Sequence, residues 1–370
     1  MEKYRNEVSF MKKANRLVAL FLVVAILFTS AVSVNAVSIE KGIERLKTQF
    51  IAGEGPVAGK YSVDYRYFSP VKEGDTTKYP LVVWLHGMGD GESEGTQVRK
   101  SNVAYWVSDE FQARFKPAGG AFILAARSRE EDGITWTNEM IEPLRAAIDD
   151  FIAKNKENID LSRIYVGGYS MGGKMTLKMI VAYPQMFAAA VPICPAWAPD
   201  ESLTSLIADI PVWLVSGVND PLVNYTVAVT PTWENIIKNS NVAADCRFSS
   251  LEKVCYEDGK PTSSSHHAWY AVNHDMFSAE NGDYPYMTTV NGLGEEVTLT
   301  YPDGMISWLS SFESDYDGAP ATDSGNEEAK KIIRKIYVEN FENNSKFINK
   351  NKKLLHIARI LRHNMIKSTF

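Results

Sequence analysis

The sequence predicts an α/β fold: a mostly parallel central sheet with helices on both faces, forming a single catalytic domain. Three observations predict it. Short continuous apolar runs recur along the chain, helical patterns separate them, and the heptapeptide GGYSMGG (167–173) sits where one such run passes into one such helix. Runs that are apolar throughout, rather than alternating, belong to strands covered on both faces. Strands alternating with helices give parallel pairing with crossovers.

The elements follow in order. YSVDYRYFSPV (61–71) alternates and reaches Pro70, as a strand does. LVVWLHG (81–87), AFILAA (121–126), RIYVGG (163–168), AAAVPI (188–193) and PVWLVSG (211–217) are expected buried strands. Between them, NEMIEPLRAAIDDFIAKN (138–155) places Ile141, Leu144, Ile148, Phe151 and Ile152 along one helical face. GKMTLKMIVAYP (173–184) is a helix that stops at proline, and 232–239 and 303–312 are shorter helices.

Composition narrows the function. The 370 residues are 45% hydrophobic and 23% charged, which is ordinary globular composition. A net charge of -6 excludes nucleic acid as the main partner, because phosphate binding leaves a basic footprint. Lys12, Lys13 and Arg16 precede an apolar run from Leu17 to Phe28, and small residues lead to Ala36. That is the layout of a cleavable signal peptide over 1–36, so a secreted protein is expected. The catalytic domain then spans 37–314. A polar, acidic linker covers 315–329. Residues 330–370 form a basic tail with eleven Lys/Arg against two acids, read as a poorly ordered appendage with weak cell-surface association as the alternative. Cys194, Cys246 and Cys255 make no metal site; in an oxidising compartment the spacing permits a Cys246–Cys255 bridge.

Gly168-Tyr169-Ser170-Met171-Gly172 matches G-x-S-x-G in the strand–turn–helix setting of a nucleophile elbow. Ser170 is the candidate nucleophile. The flanking glycines leave room for a sharp turn, and the helix N-terminus aims N–H groups at a developing oxyanion. His86-Gly87-Met88-Gly89, after an early buried strand, offers the second donor: the N–H of Met88, or of Gly87, beside that of Met171. Asp220, just past the strand 211–217, is the candidate acid. The base must follow it. His266 ranks first, with His274 and His267 as alternatives; His356 and His363 lie in the tail. Trp197 and Trp269 are candidate substrate contacts, and Trp136 a packing residue. The chemistry requires neither metal nor organic cofactor.

The stretches YPLVVWLHGMGD, GGAFILAARS, DLSRIYVGGYSMGGKMTLKMIVAYPQMFAAAVPICPAW and IPVWLVSGVNDPLV together resemble secreted α/β-hydrolases of the polyhydroxybutyrate-depolymerase and feruloyl-esterase type. These are also similar to prolyl oligopeptidase catalytic domains. The resemblance covers about residues 60–312. It implies an α/β-hydrolase fold and a serine esterase acting on small or polymer-linked esters, with Ser170 as nucleophile, Asp220 as acid and His266, three residues before Trp269, as base. Ser265 departs from the glycine usual before that histidine, and the stretch from Phe277 to Tyr301 is unusually long. A peptidase using the same triad and a non-catalytic surface-binding protein on this scaffold are the competing readings.

Overall fold

The computed structural model describes residues 46–99, 103–256, 260–273, 286–297, 304–318, 331–332 and 334–336. The signal segment expected at 1–36, His274, His356, His363 and most of the basic tail lie outside the described residues. The chain divides into two compact units, Met1–Gln49 and Phe50–Phe370. Of the first, residues 46–49 are a helical end and turn.

In the second unit, nine strands form one sheet in the order β1-β2-β4-β3-β5-β6-β7-β8-β9. These are β1 (Ile51–Glu54), β2 (Asp64–Phe68), β3 (Tyr79–Leu85), β4 (Phe122–Arg127), β5 (Ile159–Tyr169), β6 (Ala189–Ile193), β7 (Trp213–Gly217), β8 (Arg247–Leu251) and β9 (Met287–Asn291). From β4 to β8 every neighbouring pair is parallel; β1–β2, β2–β4 and β8–β9 are antiparallel. The all-apolar runs behave as expected: every residue of β3, β4, β6 and β7 is buried. Parallel strands covered on both faces require this.

The principal helices are α1 (Ile141–Lys154), α2 (Met171–Ala182), α3 (Thr230–Asn239) and α4 (Met305–Ser310). In α1 the predicted stripe of Ile141, Leu144, Ile148, Phe151 and Ile152 is buried. It joins residues of β3, β4, β5 and α2 in the main core. The fold is that of the α/β-hydrolases.

At the start of the basic tail, Ile332 and Ile336 are buried in the main core. The basic composition around them masks that apolar pair. The linker's start is also packed, since Tyr316 lies against the core and Arg145 Nη2 donates to its hydroxyl at 3.3 Å. The Cys246–Cys255 bridge is not formed, and both side chains are buried thiols.

Candidate active site

Parallel strands deliver their loops to one edge of the sheet. The segments after β3 (His86 onward), β5 (Ser170), β6 (Cys194) and β7 (Asp220) therefore meet at the same edge.

Ser170 stands between β5 and α2 at φ 56°, ψ -115°. A non-glycine residue rarely occupies this left-handed backbone, and its strain is of order 1–3 kcal/mol. The neighbouring structure holds it there: the Ser170 N–H donates to Ile193 O (2.9 Å), and Ser170 O accepts from the Lys174 N–H (2.9 Å). The turn leaves no space beside it. A Cβ at Gly168 would lie 2.4 Å from Leu85 O, and one at Gly172 2.0 Å from the same atom. Both G-x-S-x-G glycines are thus required by close approach. Met171 is the first residue of α2, so its N–H has no carbonyl one helical turn back.

Asp220 and His266 come together. Nδ1 of His266 lies 2.6 Å from Asp220 Oδ2, with both side chains buried. A carboxylate only accepts, so Nδ1 carries the hydrogen and Nε2 is left as the basic nitrogen. The other Asp220 oxygen accepts the N–H groups of Leu222 (2.8 Å) and Val223 (2.9 Å). Burial alone would raise the Asp220 carboxyl's pKa. The bonds from His266, Val223 and Leu222 outweigh it and hold the group below its ordinary value.

The histidine is carried on a short 3-10 turn, Ser265–His267. The SSS stretch has a local job here: Ser264 caps the turn, its Oγ accepting the His266 N–H at 3.1 Å. The turn packs on the end of β7, since a Cβ at Gly217 would lie 2.2 Å from Ser265 O. Among the described residues, the non-glycine positions with positive φ are Ser170 and Cys194. Ser265 is not one of them, so its backbone has no need of the glycine usual in the resembling family.

His267 points elsewhere. It is half-buried against Trp269 (4.9 Å between ring centroids), and its buried Nδ1 has no hydrogen-bond partner. Burial, then the neighbouring His266, lower its pKa, with Asp220 opposing.

Trp269 stacks on Tyr169 (4.3 Å, 24°) and meets His266 edge-on (5.6 Å). It thereby joins the residue before the serine to the candidate base. Trp197 is 6% exposed and belongs to the main core, with the Lys178 ammonium 5.9 Å from its ring centroid. Trp136 is buried, and its indole N–H donates to His86 O at 3.0 Å.

The loop after β3 is braced from below. Ser128 N–H donates to His86 Nε2 (3.1 Å), so Nδ1 bears the hydrogen and donates to Gly87 O (2.6 Å). Burial holds the His86 pKa down to about 4; the Gly87 carbonyl opposes this and the Arg127 charge adds to it. Its folded-state value therefore lies below the ordinary 6.5. The neutral ring contributes stability above about pH 6.5, and that contribution is lost as pH falls towards 4, on the order of 3 kcal/mol in all. Thermal melting of the wild type is expected to drop across this window, and His86→Gln to flatten the drop.

Three further residues were not legible as site residues in the sequence. Tyr169 Oη donates to Asp90 of the β3 loop, tying the elbow to that loop. Cys194, at φ 35°, places its buried thiol 3.5 Å from His266 O as a donor. The Glu130 carboxylate accepts N–H groups of Gly89 and Gly91. Each bond joins residues at least 39 positions apart, and no local motif announces it. Cys194, Asp220 and His266 also place ligand-type atoms within 4.8 Å of one another. Burial, then the Asp220 charge, raise the thiol's pKa well above its ordinary value. The protonated thiol is a poor metal ligand, and the imidazole and carboxylate already bond each other.

A curated relative, the bifunctional acetylxylan esterase/xylanase XynS20E of Neocallimastix patriciarum, is 24% identical over 238 residues, 62% of this chain and 32% of the relative. The chain thus spans about a third of that relative's length. A solved structure described as a thermostable esterase is 28% identical with a TM-score of 0.51, covering 62% of this chain and 61% of the other. The family model described as phospholipase/carboxylesterase matches residues 68–258, a span running from the end of β2 past Ser170 and Asp220, and the chain belongs to that family.

Proposed function

We propose that the protein is a secreted serine hydrolase cleaving carboxylic esters through Ser170, His266 and Asp220. The observation that carries this reading is the pairing of a strained serine corner with a buried His266–Asp220 hydrogen bond at the same sheet edge. Nε2 of His266 takes the Ser170 hydroxyl proton as Oγ attacks the ester carbonyl. The oxyanion is met by the N–H groups of Met88 and Met171. The imidazolium returns its proton to the leaving alcohol as the C–O bond breaks. Water, deprotonated by the same ring, then attacks the acyl-enzyme and releases the acid.

Substrates of the polyhydroxybutyrate-depolymerase and feruloyl-esterase type are the expected class. The acetylxylan esterase relative supports the carbohydrate-linked side of it. Trp269 offers an aromatic wall beside the base; Trp197, deep in the core, is given a packing role. Among the described residues no helix is long and apolar enough to cross a membrane.

Parallel assays test the substrate class. Acetylated or feruloylated xylan and 3-hydroxybutyrate oligomers are expected to release acid, and prolyl peptides to remain intact. Peptide cleavage with no ester turnover would contradict the reading.

A further inference from the structure

The loop Gly87–Gly91 carries five backbone N–H groups, and most of them are committed. Gly89 N–H donates to Glu130 Oε2 at 2.7 Å, and Gly91 N–H reaches the same oxygen at 3.3 Å. Asp90 N–H donates back to Gly87 O at 3.3 Å. The N–H of Gly87 faces the Tyr169 phenol, where it works against the rise in that group's pKa. Among the described residues the Met88 N–H has no partner. The loop passes directly over the elbow: a Cβ at Gly87 would lie 3.5 Å from Ser170 Cβ.

Glu130 is itself anchored to the loop it holds. Its N–H donates to Gly91 O at 3.1 Å, and Arg127 Nη1 donates to the same carbonyl at 3.2 Å. One carboxylate oxygen and one backbone N–H therefore grip the loop through the peptides on either side of the Gly91 Cα. A carboxylate accepting two amide N–H groups makes charge-assisted bonds, stronger than neutral ones.

We propose that Glu130 is a positioning residue for the oxyanion donors: its carboxylate binds the Gly89 and Gly91 N–H groups, which fixes the loop path and leaves Met88 N–H for the substrate oxyanion. The proposal rests on the esterase reading above. Without the carboxylate, two donors are released and the loop can turn either towards the oxyanion site. Displacement of one oxyanion donor by about 1 Å costs up to about 100-fold in rate.

The test compares the wild type with Glu130→Ala, Glu130→Gln and Ser170→Ala, using 4-nitrophenyl acetate and an aryl trifluoromethyl ketone that forms a tetrahedral adduct on serine. E130A is expected to lose about 10- to 100-fold in kcat with KM nearly unchanged, and to lose ketone affinity by the same factor. E130Q keeps an acceptor oxygen and is expected to recover much of the loss, at a melting temperature close to wild type. If E130A is too unstable to assay, E130Q carries the test through a smaller, matched loss of kcat and ketone affinity. Wild-type kcat and ketone affinity in the folded variants, or loss of the fold in both, would overturn the proposal. S170A separates the two readings: an active S170A means the esterase reading fails, whereas an inactive S170A beside a fully active E130A means that only Glu130 fails.

Discussion

Replacing Ser170 with alanine is expected to lower kcat by about 10⁴-fold or more on any ester the enzyme turns over, with the fold retained. The hydroxyl makes no structural hydrogen bond among the described residues. Its backbone is what the fold holds, through Ile193 O and Lys174 N–H. Alanine keeps the Cβ and so keeps the strain at φ 56°. Glycine, which occupies that region freely, should relieve it. Ser170→Gly is therefore expected to melt above Ser170→Ala, by an amount within the roughly 1–3 kcal/mol such corners store. Calorimetry on the two inactive variants reads this directly. Equal stability would mean that the corner is relaxed.

The second large effect is expected at His266. His266→Ala should fall in kcat about as far as Ser170→Ala, and the double variant no further, because the pair acts as one unit. His267→Ala should retain most activity. The reason is geometric: Nδ1 of His266 donates to Asp220 at 2.6 Å and frees Nε2 for the serine. Nδ1 of His267 is buried without a partner, and among the described residues the rings that pack on it are Trp269 and Tyr270. His274→Ala should likewise stay active. Loss of turnover in His274→Ala, with His266→Ala active, would transfer the base to that position.

Much of this architecture is legible in the sequence, for identifiable reasons. A strand buried on both faces must be apolar throughout, so β3, β4, β6, β7 and the buried second half of β5 announce themselves. β8 and β9 do not. β8 reads RFSSL, and its polarity hides it until the neighbours are known. Ser249 is satisfied across the sheet by the Trp213 indole (2.8 Å) and by Thr289 (2.7 Å). β9, MTTVN, lies inside the long stretch from Phe277 to Tyr301 and pairs antiparallel at the edge. Cross-strand partners make such segments strands, and sequence order alone does not supply them.

The candidate site divides the same way. Ser170 sits in a motif whose glycines are dictated by contact with Leu85 O, and Asp220 sits just past the end of a buried strand. Both positions are set locally. The rank of His266 over its neighbours rests on its spacing to Trp269 and the polar SSS before it, whereas its bond to Asp220 spans 46 residues. Glu130, Tyr169 with Asp90, and Cys194 have no local signature. Their roles arise only where separate loops converge on the sheet edge.

The most direct measurement is covalent labelling of the full chain with a fluorophosphonate, followed by mass mapping of the adduct. The account predicts one adduct on Ser170, absent in Ser170→Ala and formed far more slowly in His266→Ala. No adduct on the wild-type protein, or equal labelling of Ser170→Ala, would contradict it.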